Sequence, residues 1–335
     1  MADADLLFPT PEGLYCPVGD FHVDPVQPVA RALITHGHAD HARSGHGTVL
    51  ATRQTLDIMA IRYGEGFAGS SQVAEGTIAI GDTRVRFHPA GHVLGSSQVE
   101  IETGGRRFVV SGDYCRHRNP VAEAFEPVPC DVFVTEATFA LPVFRHPDPA
   151  AEIAKLLASV AAFPERAHLV GAYALGKAQR VIMLLREAGW DAPVYIHGAL
   201  ERLCRYHLDQ GVPLGDLRSA TDDTMAKADF AGQIILAPPS AFAATWAQRF
   251  PDPVIAFASG WMMIRARARQ RGVELPLVIS DHADWPDLLR TVAEVDPDET
   301  WITHGREEAL MRQLTLEQRR ARPLHLVGFE EEAEA

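Results

Sequence analysis

The sequence predicts an α/β protein in which a β-rich domain is interrupted by an inserted lobe of alternating helices and strands. Three observations predict it. Up to about residue 145, short β-like runs separated by turn signals dominate. From about 150 to 270, helical and strand-like stretches alternate, the pattern of a parallel α/β unit. Beyond that point, strands ending in an Asp or His resume, as in the first part. The expected division is residues 1–145 with 272–335 as one domain and 146–271 as an inserted cap.

In chain order, Leu14-Tyr15-Cys16 and Phe21-His22-Val23 form a short hairpin leading into the apolar run Val29 to Ile34, which reads as a buried strand. Thr48 to Thr52 is a strand and Gln54 to Tyr63 a helix. Thr77 to Ile80 and Thr83 to His88 are short strands. Val99 to Glu102 and Arg107 to Val110, joined through Gly104-Gly105, form a hairpin. Cys130 to Thr135 is a further strand, after which Pro142, Pro147 and Pro149 mark a change of composition. In the inserted lobe, helices over 150–162, 175–189, 199–210 and 240–250 alternate with strands over 168–172, 193–197, 233–237 and 254–259. The last part contains strands over 275–280, 300–303 and 324–327, helices over 286–295 and 306–319, and an acidic tail, 330–335, expected to be solvated.

With 335 residues, 47% of them hydrophobic, the chain can bury more than one simple core. A net charge of −13 excludes a globally basic nucleic-acid binder, although a metal centre or local arginines can still hold phosphates. Lysine occurs only at Lys155, Lys177 and Lys227. Cys16, Cys115, Cys130 and Cys204 show no Cys-x-x-Cys spacing, so neither a disulfide framework nor a thiolate zinc site is expected. The acidic start does not read as a signal peptide, and no apolar run reaches the ~18 residues of a membrane span. A reduced, cytoplasmic setting without membrane association is the expectation.

The chemistry concentrates in Thr35-His36-Gly37-His38-Ala39-Asp40-His41, immediately after the Val29 to Ile34 strand. Four metal-ligand side chains lie within six residues. His36 and His38, like His38 and Asp40, are two apart, so a short extended segment turns them to one side. The adjacent Asp40 and His41 point differently and can serve a second ion. A mixed imidazole and carboxylate set suits zinc or manganese. A lone histidine would read as a surface or core residue, but four ligands at this spacing do not. His92 lies in Ala90-Gly91-His92-Val93-Leu94-Gly95, where the glycines allow close backbone approach. Asp113 lies in Ser111-Gly112-Asp113-Tyr114, released from the end of an apolar strand. Taken singly, these two read equally as a loop histidine and a turn residue; beside the first motif they read as ligands.

Glu136, His282 and His304 also fall near strand ends. The order His-x-His-x-Asp-His, His92, Asp113, Glu136, an insertion, His282 and His304 resembles the β-CASP nuclease branch of the metallo-β-lactamase superfamily. The resemblance spans essentially the whole chain. Phe87 to Gly95, Gly171 to Gln179 and Ala258-Ser259-Gly260-Trp261 more particularly resemble bacterial ligase-associated DNA exonucleases. The implied fold is a metallo-β-lactamase αββα sandwich with an inserted β-CASP cap.

The resemblance implies two divalent ions, zinc or manganese. One is held by His36, His38 and His92, the other by Asp40, His41 and His304, with Asp113 bridging. Asp24, with Asp20 as the rival, would brace the histidine loop. His282 would act as general acid, oriented by Glu136, with Asp40 and Asp113 also in the catalytic set. Lys177 at a helix start, Ser259, and Arg265 and Arg267 in an alternating arginine segment are substrate-binding candidates. For the arginines a solvated charged face competes with phosphate contact, and Lys177 reads equally as an ordinary surface lysine. The implied activity is a metal-dependent exonuclease acting on single-stranded DNA ends in repair, with a functional link to a DNA ligase and a helicase. The alternatives are an RNA-processing nuclease, a small-ester hydrolase, and an inert nucleic-acid-binding subunit; the filled ligand positions argue against the last.

Overall fold

The computed structural model describes residues 3–221, 227–250 and 252–326. The expected acidic tail and the end of the expected 324–327 strand lie outside this range. The chain divides into two compact units, one built from residues up to Arg145 together with those from His282 on, the other from His146–Asp281.

Two sheets form the first unit. One has six strands in sequence order, Phe8–Pro9, Leu14–Cys16, Phe21–Val23, Arg31–Leu33, His46–Ala51 and Ala68–Val73. It is antiparallel up to Phe21–Val23 and parallel from there on. The other has seven strands, ordered Ala321–Pro323, Glu299–Gly305, Val132–Ala137, Arg106–Val110, Ser97–Thr103, Thr83–Pro89 and Ile78–Ile80. Its first four run parallel and the rest form antiparallel hairpins. The sheets share a core in which Leu14, Phe21, Leu33 and Leu50 of one meet Val99, Phe108, Val134 and Trp301 of the other. Helices cover their outer faces. Leu56 and Met59 of the Arg53–Tyr63 helix pack on Ala32, Val49 and Ala51. Leu288, Val292, Leu310 and Leu314 of the last two helices pack on Val109, Phe133 and Ile302. Central strands such as Val132–Ala137 and Ser97–Thr103 thus bury both faces, which is why several read as continuous apolar runs rather than alternations.

The second unit is a parallel sheet of six strands, ordered Leu217–Ser219, Val194–Ile196, Ile234–Ala237, His168–Gly171, Val254–Ala258 and Leu275–Leu277. Its helices are Pro149–Ala162, Lys177–Glu187, Gly198–Asp209 and the short Arg265–Gln270. Asp148 caps the first of these by accepting from the Ala150 amide at 2.9 Å, with Pro149 in the first turn where its missing N–H costs nothing.

Several expectations need correction. Residues 272–281 were expected with the first domain, but Leu275–Leu277 pairs in parallel with Val254–Ala258 and so belongs to the second unit. The helix expected over 240–250 is two 3-10 pieces, Pro239–Ala243 and Thr245–Arg249, broken at Ala244, which is extended with ψ 163. The helix-like spacing of Phe242, Trp246 and Phe250 reflects their common packing against Leu169 and Ile235. The last strand is Ala321–Pro323 rather than 324–327, although the Leu324 amide still donates to Ile302 at 2.7 Å. Ala68–Val73 and Leu217–Ser219 are sheet edges whose partly exposed, mostly polar residues carry no apolar pattern.

Candidate metal centre

The histidine loop is fixed from behind by Asp24, which adopts a positive φ of 45°. Its Oδ1 accepts from the Thr35 amide at 2.8 Å, and its Oδ2 accepts from Thr35 Oγ1 at 2.6 Å. The same Oδ2 lies 2.7 Å from His41 Nδ1. The rival Asp20 instead accepts from the Tyr15 hydroxyl at 2.8 Å. Thr35 spends its hydroxyl proton on Asp24, so at 3.0 Å from His36 Nδ1 it can only accept. Both rings are therefore protonated on Nδ1, which leaves Nε2 as the nitrogen a metal would meet, in the tautomer a metal ligand needs.

One donor group is His36 Nε2, His38 Nδ1, His92 Nε2 and Asp113 Oδ2. The His38 nitrogen lies 3.1 Å from that of His36 and 3.0 Å from that of His92. Asp113 Oδ2 lies 3.4 Å from the first and 3.7 Å from the last. A tetrahedral ion with bonds of ~2.0–2.1 Å needs donors about 3.4 Å apart, so the set fits. The His92 loop is held by Ser96 Oγ, which accepts from the His92 and Val93 amides at 3.1 Å each, and by Asn119 Nδ2, which donates to the His92 carbonyl at 2.7 Å. Gly91 has φ +77°, and a Cβ there would sit 2.3 Å from the Cys115 carbonyl oxygen.

The second group is His41, Asp113 and His304. Asp113 Oδ2 lies 3.5 Å from His41 Nε2, so the same oxygen faces both groups. Asp40 stands beside this group, with Oδ2 3.7 Å from His41 Nε2. His304 arrives through a β-bulge. Glu136 pairs with Thr303 and Ala137 with Gly305, leaving His304 as the extra residue at φ 55°. A bulge re-aims a side chain that a regular ladder would hold on the sheet. The ring of His304 lies 5.3 Å from that of His41. Gly305 is required, since a Cβ there would lie 2.2 Å from the Ala137 carbonyl oxygen.

Beside these groups stands a carboxylate–histidine pair. Glu136 Oε2 lies 2.9 Å from His282 Nδ1, with both residues buried. Glu136 Oε1 accepts from the Tyr114 amide at 2.8 Å, and the Tyr114 carbonyl accepts from Ala283 at 2.7 Å. The residue after Asp113 thus fastens the pair. The His282 ring lies 4.6 Å from that of His92.

Charge is strongly perturbed here. Burial, then the rings of His41, His92, His38 and His282, push His36 well below the ordinary histidine value. His304 is lowered likewise, by burial and then by His41 and His282. Burial also pulls His41 down, but Asp113, Asp40 and Asp24 outweigh it and carry it to about 10. Burial raises Asp113 to about 7 against the pull of His41 and His282. Divalent cations compensate such a concentration of inward lone pairs and buried carboxylate.

The structure brings together the expected residues of the first unit: His36, His38, Asp40, His41, His92, Asp113, Glu136, His282 and His304, with Asp24 behind them. Sequence reasoning missed Thr35, Ser96, Asn119 and the Tyr114 main chain. Thr35 and Ser96 were visible as polar residues flanking the ligand motifs; Asn119 and a main-chain amide carry no signal.

In the second unit, Lys177 opens its helix as expected but is buried. Its Nζ lies 2.9 Å from Asp281 Oδ2 and donates to the Ile279 carbonyl at 3.1 Å. Ser259 caps a 3-10 turn by accepting from the Trp261 amide at 3.3 Å. Arg265 starts the Arg265–Gln270 helix, and the Arg267 guanidinium stacks 4.0 Å over the Trp261 ring.

No family model matches the chain. Among curated proteins it is similar to a "Probable DNA ligase" of Opitutus terrae, 28% identical over 88% of this chain and 28% of that protein. It is also similar to "Endoribonuclease ysh1" of Aspergillus fumigatus, 29% identical over 52% of this chain and 21% of that protein. "Cleavage and polyadenylation specificity factor 73" of Drosophila melanogaster is 30% identical over 36% of this chain and 19% of that protein. The chain therefore spans less than a third of the length of each of these relatives. Among solved structures it resembles a protein of unknown function from Enterococcus faecalis V583, with a TM-score of 0.55, 12% identity, and coverage of 90% of this chain and 80% of the other.

Proposed function

We propose that the chain is a metal-dependent phosphodiesterase of the β-CASP branch of the metallo-β-lactamase superfamily, acting as an exonuclease on single-stranded DNA ends. On this reading the first unit is the αββα sandwich and the second the β-CASP cap. One observation carries the proposal: Asp113 Oδ2 faces two imidazole-rich donor groups, and a buried Glu136–His282 pair stands beside them. Phosphodiester cleavage must protonate a poor leaving oxygen, and this reading gives that role to the pair. The name of the Opitutus terrae relative, matched along most of this chain, favours DNA; the endoribonuclease names favour RNA and supply the second reading.

When bound, two zinc or manganese ions supply a phosphate clamp and an activated water for in-line attack. His36, His38, His92 and Asp113 would hold one, and Asp40, His41, His304 and Asp113 the other. Asp24 and Thr35 keep the rings in the ligating tautomer. Glu136 occupies His282 Nδ1, so the proton that ring delivers leaves from Nε2. Arg265 and Arg267 are assigned to the substrate backbone, with Ser259 and Lys177 as shaping residues. Replacing Arg265 and Arg267 by Ala should raise KM and flatten its salt dependence without changing metal content.

The test is the purified chain loaded with Mn²⁺ or Zn²⁺ and offered end-labelled single-stranded DNA and RNA of one sequence. Stepwise shortening of the DNA supports the proposal. Preferential cleavage of RNA selects the second reading, and cleavage of neither overturns both.

A further inference from the structure

A second cluster of ligating side chains lies outside the residues used above. His117, Asp284 and Asp287 each offer one donor atom, all within 4.8 Å of one another. His117 follows Asp113 by four residues, and Asp284 follows His282 by two. Asp284 and Asp287 are buried, while His117 is 35% exposed at its side chain, so water can reach the open side.

Helix capping accounts for only part of this arrangement. Asp284 caps the Trp285–Val295 helix, its Oδ1 accepting from the Asp287 amide at 3.1 Å. Asp287 Oδ1 is taken by Arg290 Nη2 at 3.0 Å. Arg116 is committed elsewhere, donating to Thr291 Oγ1 and Glu294 Oε2. Asp287 Oδ2 is different: Asp287 is only 8% exposed, and this oxygen is buried and accepts no hydrogen bond. It faces His117 Nε2 at 3.5 Å, too long for a hydrogen bond but short enough for two donors of one ion. Two carboxylates enclosed together repel, and burial and Asp284 both raise the Asp287 carboxyl. A bare carboxylate oxygen, a neighbouring carboxylate and an accessible imidazole form the donor set of a first-row divalent cation with water completing its shell.

We propose that His117, Asp284 and Asp287 bind a further divalent cation of the Mn²⁺ or Zn²⁺ class, separate from the ligand groups around Asp113. It joins the segment after Asp113 to the helix start after His282. With three protein ligands and an open side, it binds more weakly, by about tenfold or more, than the ions of the four-donor groups around Asp113.

The experiment counts Mn²⁺ per chain by equilibrium dialysis and elemental analysis, on the full chain and on His117→Ala and Asp287→Asn. His117→Ala removes a partly exposed ring, and Asp287→Asn keeps the shape of its side chain. Each variant should bind one ion fewer than the wild type, with the tighter ions unchanged. Asp113→Ala should lose the tighter ions and keep the weak one, so failure of the metal-centre reading and failure of this one are separable. Equal stoichiometry in wild type, His117→Ala and Asp287→Asn would overturn the proposal, as would an Asp113→Ala chain that binds nothing.

Discussion

Asp113 Oδ2 is within 3.7 Å of His36, His41 and His92, so one carboxylate oxygen joins both donor groups. Asp113→Ala should therefore remove most of the metal around it as well as nuclease activity, read by elemental analysis and a cleavage assay. Wild-type rates with full metal content would refute its bridging role. His282 separates chemistry from metal binding. It belongs to neither the His36–His38–His92–Asp113 group nor the His41–Asp113–His304 group; it lies within ligating distance of Asp113 only together with Glu136, to which its Nδ1 is committed. His282→Ala should keep its metals and substrate affinity but lose ~10²–10⁴-fold in rate, the usual contribution of a general acid. The defect should shrink on a nitrophenyl phosphodiester, whose leaving group needs little protonation. An equal defect on both substrates would mean that His282 positions the phosphate instead. Glu136→Gln should show a milder version of the same pattern.

At the scale of elements, the site is a set of loops held by main-chain contacts, and this sets what sequence can reveal. The ligand motifs were readable because His and Asp cluster after apolar runs and between glycines. Gly91 and Gly305 are fixed because a Cβ at either would strike a carbonyl oxygen. The His304 bulge was not readable, since bulges arise from register between Val132–Ala137 and Glu299–Gly305 and leave no local pattern. The edge strand Ala68–Val73 escaped because its exposed Gly-Ser-Ser-Gln stretch has no buried face to alternate. Lys177 shows the opposite failure: a lysine at a helix start reads as a phosphate site, yet this one is paired inside its unit. Lys177 Nζ and Arg180 Nη1 each lie 2.9 Å from Asp281, and all three side chains are buried. Asp281→Ala would leave two buried cations without their carboxylate. Removing one partner of a buried pair costs about 3–5 kcal/mol, so chemical denaturation should show the second unit destabilised on that order. A change under ~1 kcal/mol would mean that water or relaxation solvates both cations.

For the whole molecule, metal loading and pH should be coupled through the same buried groups. In the metal-free chain His41 is raised to about 10, so the folded state favours its protonated form. That stabilisation is complete below the ordinary histidine value of 6.5 and is lost as pH rises through about 10. Asp113 is raised to about 7, so the fold also favours its protonated form. Its contribution is complete below 3.8 and is lost as pH rises towards about 7. Both make the metal-free fold less stable as pH climbs. An ion needs His41 neutral and Asp113 ionised, so its uptake expels the protons these groups hold. Between about 7 and 10 one proton leaves and affinity should rise about tenfold per pH unit; below about 7 two leave and the dependence should steepen. Titrations in chelator-buffered Zn²⁺ at a series of pH values measure that slope, and calorimetry in buffers of different ionisation enthalpy counts the protons. Thermal melts at fixed free metal should show a gain in Tm on loading that is larger at high pH than near neutrality. A pH-independent affinity, or no proton release near neutral pH, would show that His41 already lies neutral in the metal-free chain and that Asp24 alone sets its tautomer.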